Sequence, residues 1–165
     1  MSYPEPRYHG ETGEQSAIFR PRSTAPELRN MPGNNVHYLA TAASTGGEFG
    51  LYRWDFGAQR SGPDAHFHKT ISESFFILSG TIRLFNGSQW ASATEGEFLY
   101  VPPGGIHGFR NESEQPASML LLFTPGAPRE EYFETLAAIA QGQQVLTGDE
   151  RAEFMLRHDT FWLDS

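Results

Sequence analysis

Turn-forming residues recur at short intervals through the middle of the chain: Gly46-Gly47, Ser61-Gly62-Pro63, Asn86-Gly87, Glu95-Gly96 and Pro102-Pro103-Gly104-Gly105. Glycine enters positive φ without steric cost and proline removes a backbone donor. Such punctuation suits many short strands better than a helical bundle. The runs between the turns agree: VHYLATA from Val36, EFGLYRWDF from Glu48, HFHKT from His66, SFFILSG from Ser74, TIRLF from Thr81, EFLYVP from Glu97, HGFRN from His107 and ASMLLLFT from Ala117. Asn86-Gly87 lies between two strand-like runs and is the strongest local hairpin signal. Regularly spaced short strands predict an all-β sandwich or barrel over residues 36–125.

The flanks read differently. Residues 1–35 are rich in Pro, Gly, Ser and Asn, with one short apolar patch at Ala17 to Phe19, and predict an extended arm with room for one strand. In residues 126–165, PGAPREEYFETLAAIAQG places Pro128 at a first helical position, Glu130 and Glu131 in the first turn and Gly142 as a stop. Tyr132, Phe133, Leu136, Ile139 and Ala140 recur at helical spacing and form one apolar face. DERAEFMLRHDTF predicts a second short helix. One or two C-terminal α-helices should therefore pack outside the barrel.

Charge and composition narrow the function. Twelve basic residues against 20 acidic ones give a net charge of −8, and no basic stripe is present, so no nucleic-acid partner is expected. No run is apolar and long enough to span a bilayer, so no membrane partner is expected and the default is a soluble cytoplasmic protein. Cysteine is absent, which removes disulfides, Cys-zinc sites and thiol nucleophiles. A metal would have to be held by His, Asp or Glu.

DAHFHKTISE puts His66 and His68 on the same side of a strand, because side chains alternate between faces. Glu73 would reach them across a turn or from the next strand. On its own the pair reads first as two solvent-facing histidines. Of the remaining histidines, His9 and His158 lie in the flanks and His37 reads as a strand or surface position. His107 differs, because it follows the turn VPPGG, whose prolines and glycines fix the backbone that delivers it.

HFHKTISESFFILSG resembles the first motif of the cupin family, HxH-x4-E-x6-G, carried by His66, His68, Glu73 and Gly80. GEFLYVPPGGIHGFRN is similar to the second, G-x5-PxG-x2-H-x3-N, through Gly96, Pro102, Gly104, His107 and Asn111. One departure stands: the glycine expected six positions before the first His falls on Arg60, with Gly57 and Gly62 nearby. The resemblance implies a cupin-type antiparallel jelly-roll barrel with His66, His68, Glu73 and His107 around one divalent transition metal. Three imidazoles and one carboxylate suit Fe, Ni, Mn or Co, with Zn also compatible, and leave about two positions of an octahedral ion for other ligands. Asn111 or backbone carbonyls would orient the ligands.

Alternation extends the reading to the pocket. Phe75 and Ile77 share the face of Glu73, Phe109 shares that of His107, and Tyr52 and Trp54 alternate together on one side of their strand. Inward aromatics of a small barrel are core more often than ligand contacts. Arg53 and Arg83 are strand arginines that an anionic substrate would fit, unless they face outward. The segments HKTISESFFILSGTIRLF and LLLFTPGAPREEYFETLAAIA resemble single-domain cupins grouped with quercetin-type dioxygenases. That resemblance implies a small aromatic or enolic substrate, dioxygen as co-substrate, and Glu73 as catalytic base once it loosens from the metal. The same ligands also fit a non-redox metal-dependent isomerase or cyclase, or a non-catalytic small-ligand or metal-binding protein. The resemblance also implies pairing of two copies through their sheets, and the arm up to about Asn35 is long enough to add a strand to a partner's sheet, so a homodimer is expected.

Overall fold

A computed structural model describes residues 2–30 and 33–163. Met1, Met31, Pro32, Asp164 and Ser165, which belong to the predicted arm and C-terminal segment, lie outside the described residues. Strands β1 (Leu28–Asn30), β2 (Asn34–Ala40), β3 (Gly50–Phe56), β4 (His66–Phe67), β5 (Ser72–Ser79) and β6 (Thr81–Phe85) form the first half. Then come β7 (Trp90–Thr94), β8 (Phe98–Val101), β9 (Gly108–Arg110), β10 (Ala117–Thr124), helices α1 (Arg129–Ala140) and α2 (Gly148–Arg157), and β11 (Phe161–Trp162). The pairing is antiparallel throughout: a six-stranded sheet ordered β1-β2-β3-β10-β5-β8, a three-stranded sheet β7-β6-β9, and the short pair β11-β4.

Period-two burial closes the two larger sheets over one core. In β10, Ala117, Met119, Leu121 and Phe123 point inward between partly exposed neighbours. In β3, Gly50, Tyr52 and Phe56 are buried, which settles the inner side of that strand as the Tyr52 face. The small sheet answers with Ile82, Leu84 and Phe109, and the Phe109 ring meets those of Phe56 and Phe75 at 6.1 and 5.5 Å. At about 25 cal/mol per Å² of apolar surface removed from water, this shared core is the main stabilising term. The Asn86-Gly87 turn joins β6 to β7, with Gly87 at φ 91° and the Asn86 carboxamide oxygen accepting from the backbone of Ser88 and Gln89.

Several elements differ from expectation. The strand that the arm had room for is β1, while Ile18 and Phe19 of its apolar patch are exposed. HFHKT is a strand only at His66–Phe67 before it bends toward Glu73. The strand β7, WASAT, buries only Ala93 and carries no large alternating residues, so it left no periodic signal. The helices lie outside the strands and close the mouth of the barrel: Phe133 of α1 packs edge-on to Tyr52 and Trp54 at 5.2 and 5.3 Å. Helix α2 starts in a capping box formed by Thr147 and Glu150. No helix among the described residues is long and apolar enough to cross a membrane.

Candidate metal centre

The four residues singled out in the sequence converge. His66 and His107 stand directly opposite one another, each backbone N–H donating to the other's carbonyl at 2.9 Å, and their rings lie 4.3 Å apart. The His68 ring is 5.1 Å from His66 and 5.3 Å from His107. Glu73 arrives from β5, paired with Val101 on one side and Phe123 on the other. One ligand atom from each residue lies within 4.8 Å of the others, and all four side chains are buried. The Pro102 to Gly105 turn clamps this arrangement, because the Gly104 N–H donates to the His68 carbonyl at 2.6 Å.

The protons on the rings follow from their partners. A backbone carbonyl can only accept, so each Nδ1 that faces one must carry hydrogen. His66 Nδ1 donates to the Asp64 carbonyl at 2.8 Å, His68 Nδ1 to that of Asp159 at 2.6 Å and His107 Nδ1 to that of Gly105 at 3.0 Å. The Nε2 lone pairs therefore face inward. Glu73 Oε2 lies 2.8 Å from His107 Nε2 and 3.2 Å from His68 Nε2. Without a cation, acceptors would confront acceptors unless a ring takes a second proton. The donor set thus fits a divalent ion.

Electrostatics of the donor set point the same way. Burial pushes the Glu73 carboxyl up, but hydrogen bonding and charge from His107, then His68, outweigh it and hold the group well below the usual carboxylate range. Burial pushes the His66 imidazole down to about 4, with the neighbouring His107 adding to the effect. Burial also disfavours the charged form of His107, yet its hydrogen bond to Glu73 wins and raises it above the ordinary value.

Asn111 does not orient a ligand. Its amide donates to the Gly57 and Gln115 carbonyls, tying two turns together, and the orienting groups are the three backbone carbonyls. Two residues after Arg60, Gly62 has φ 129°, and a Cβ there would lie 2.1 Å from the Phe109 carbonyl oxygen. The tail contributes more than its sequence signalled. Asp159 accepts from the backbone of Lys69 and Thr70 while its carbonyl holds His68, and Trp162 of β11 lies 5.2 Å from the His66 ring.

A cavity of about 380 Å³ opens onto His66 and Glu73. Of the predicted pocket residues, Trp54 and Phe109 line it. Tyr52, Phe75 and Ile77 do not: all three are core, with the Tyr52 hydroxyl donating to Glu130 and the Phe75 ring 5.9 Å from that of His107. Arg53 and Arg83 also lie away from it, engaged by Asp55 and by Ser92 and the Trp90 carbonyl. Helices α1 and α2 supply walls that strand alternation does not reach, among them Arg129, Tyr132, Phe133 and Met155.

Residues 52–123 match the family model of the cupin domain. Quercetin 2,3-dioxygenase of Bacillus subtilis (strain 168) is 27% identical over 115 residues, covering 69% of this chain and 33% of that protein. The chain thus spans about a third of that relative's length. Among solved structures, a predicted oxalate decarboxylase from Thermotoga maritima superposes with a TM-score of 0.55 at 18% identity, over 65% of this chain and 97% of that one. KdgF from Halomonas sp. gives 0.54 at 14% identity, over 62% and 88%. At such identities the likeness is one of fold.

Proposed function

The chain carries a cupin domain across residues 52–123, and from that premise we propose that it is a metal-dependent dioxygenase of the quercetinase-like type, acting on a small aromatic or enolic substrate. The observation that carries the reading is a cavity walled by Trp54, Phe109 and Phe133 that shares His66 and Glu73 with the buried histidine–carboxylate cluster. The distant likeness to quercetin 2,3-dioxygenase supports it.

His66, His68, Glu73 and His107 would hold the ion through three Nε2 atoms and one carboxylate oxygen. When bound, an Fe, Ni, Mn or Co ion would supply a Lewis acid for the substrate's acidic hydroxyl and a partner for dioxygen. The chain does the rest. Flat apolar walls orient a ring and exclude water, and the fixed Nδ1 bonds keep the imidazoles from turning. Glu73 would take the hydroxyl proton, at its Oε2. Its low proton affinity requires it to loosen first from the ion and from His107 and His68.

Protein purified without chelators should carry one metal per chain by elemental analysis. It should then consume dioxygen in proportion to substrate when tested against flavonols and other phenolic and enolic compounds. Substrate conversion in the absence of oxygen, supported by a redox-inactive ion, would instead assign the site to non-redox isomerisation or cyclisation. Stoichiometric metal with no conversion of any compound would leave a binding protein.

A further inference from the structure

Three charged side chains that the proposed reaction does not use line the cavity, Asp64, Arg129 and Arg151, and of these only Arg129 is buried. Arg129, the first residue of α1, is 4% exposed and lines the same cavity as Glu73. Its Nη1 donates to the His158 carbonyl at 2.7 Å, while its Nε finds no acceptor among the described residues. No carboxylate among the described residues pairs with it, although Arg53, Arg83 and Arg110 of the sheets each have an acidic partner. In a chain with 20 acidic residues against 12 basic ones, a buried arginine without a counter-ion runs against the charge balance.

Its surroundings are aromatic. The guanidinium carbon lies 4.2 Å from the Tyr132 ring centre, 5.2 Å from Phe123 and 5.6 Å from Phe133. These faces recover part of the cost of stripping the cation of water, but they neutralise no charge. An anion entering from the cavity would. Phe123 also fixes the geometry toward the metal cluster: it pairs with Glu73 across β10 and β5, and its ring lies 6.5 Å from that of His68. The guanidinium and the His68 ring thus both neighbour the Phe123 ring. The planar fork of a guanidinium matches a carboxylate in two parallel hydrogen bonds, and apolar walls favour a ring-borne carboxylate over a strongly hydrated inorganic anion.

We propose that the molecule recognised here is an aromatic or enolic carboxylate, its carboxylate seated on Arg129 and its hydroxyl directed to the cluster of His66, His68, Glu73 and His107. The placement of the hydroxyl rests on the function proposed above; the carboxylate seat does not. Calorimetry on zinc-loaded protein without oxygen tests it, using 2-, 3- and 4-hydroxybenzoate against the matching hydroxybenzamides. At least one acid should bind tenfold or more tightly than its amide. Arg129→Gln should erase that preference while leaving amide affinity and metal content as in the wild type, and Arg129→Lys should keep part of it. Equal binding of acids and amides by the wild-type protein, no binding of any acid, or a preference that survives in Arg129→Gln overturns the proposal. The wild-type comparison needs no variant to fold. None of these readings requires turnover, so failure of the oxygenase reading would show in oxygen uptake and leave them untouched.

Discussion

At the scale of residues, the site turns on where each imidazole puts its one neutral-state proton. All three Nδ1 atoms are committed to carbonyls, so His66→Ala and His107→Ala should each abolish most metal binding in elemental analysis while far-UV circular dichroism is retained. Stoichiometric metal in both variants would sink the four-ligand arrangement. Proton competition adds a pH signature. His107, raised by Glu73, binds a proton at Nε2 that an ion must displace, so affinity should fall by about tenfold per pH unit below its raised value. His66, pushed down to about 4, offers its lone pair across the neutral range and adds no such competition there. In the metal-free protein the sign reverses. The His107–Glu73 contact stabilises the fold fully below about pH 6.5, the ordinary histidine value, and its contribution is lost as pH rises through the raised value. Titration against a chromophoric chelator from pH 8 to 6 checks the loading, and a flat profile would count against a protonated His107.

At the scale of elements, the turn before β4 depends on a glycine. Ser61 and Asn111 exchange backbone hydrogen bonds at 3.1 and 2.8 Å, which presses Gly62 against the Phe109 carbonyl. Gly62→Ala meets both a steric clash and a positive φ, and should cost about 2–4 kcal/mol, lowering Tm by at least ~5 °C. Gly13→Ala, with open space around it, should change Tm little. Equal melting of the two variants would mean that this turn is not held on β9. The turns, most of the strands and the four residues that cluster were legible in the sequence because alternation and turn chemistry are local. What was not legible is what closes the mouth. Arg129 in REEYFE looks like an ordinary first-turn cation of a surface helix, and only the docking of α1 over Phe123 buries it. Asp159 and β11 likewise gain their roles through contacts with β4 and the Lys69-Thr70 loop, far away along the chain. Two-residue strands leave no periodicity to read.

At the scale of the whole molecule, the six-stranded sheet ends in β8, whose outer edge is unpaired among the described residues. The outer face beside that edge is aromatic: Phe98 is 61% exposed, Tyr100 57%, and Phe76, directly across from Phe98 on β5, 40%. Three large exposed aromatics on two adjacent strands form a cluster rather than the isolated apolar residues any surface carries. A second copy related by a two-fold axis would bring the same rings together and continue the sheet antiparallel. The described part of the arm before β1 forms no strand, and an ion pair ties its Arg7 to Glu48 of its own chain, so the β8 edge is the better route to a homodimer. Light scattering at micromolar concentration should give twice the chain mass. Phe98→Asp together with Tyr100→Asp should yield a monomer that still binds metal, because neither side chain lines the cavity. A wild-type monomer refutes the dimer, and a dimer that survives both substitutions but is lost on deleting residues 2–27 moves the interface to the arm.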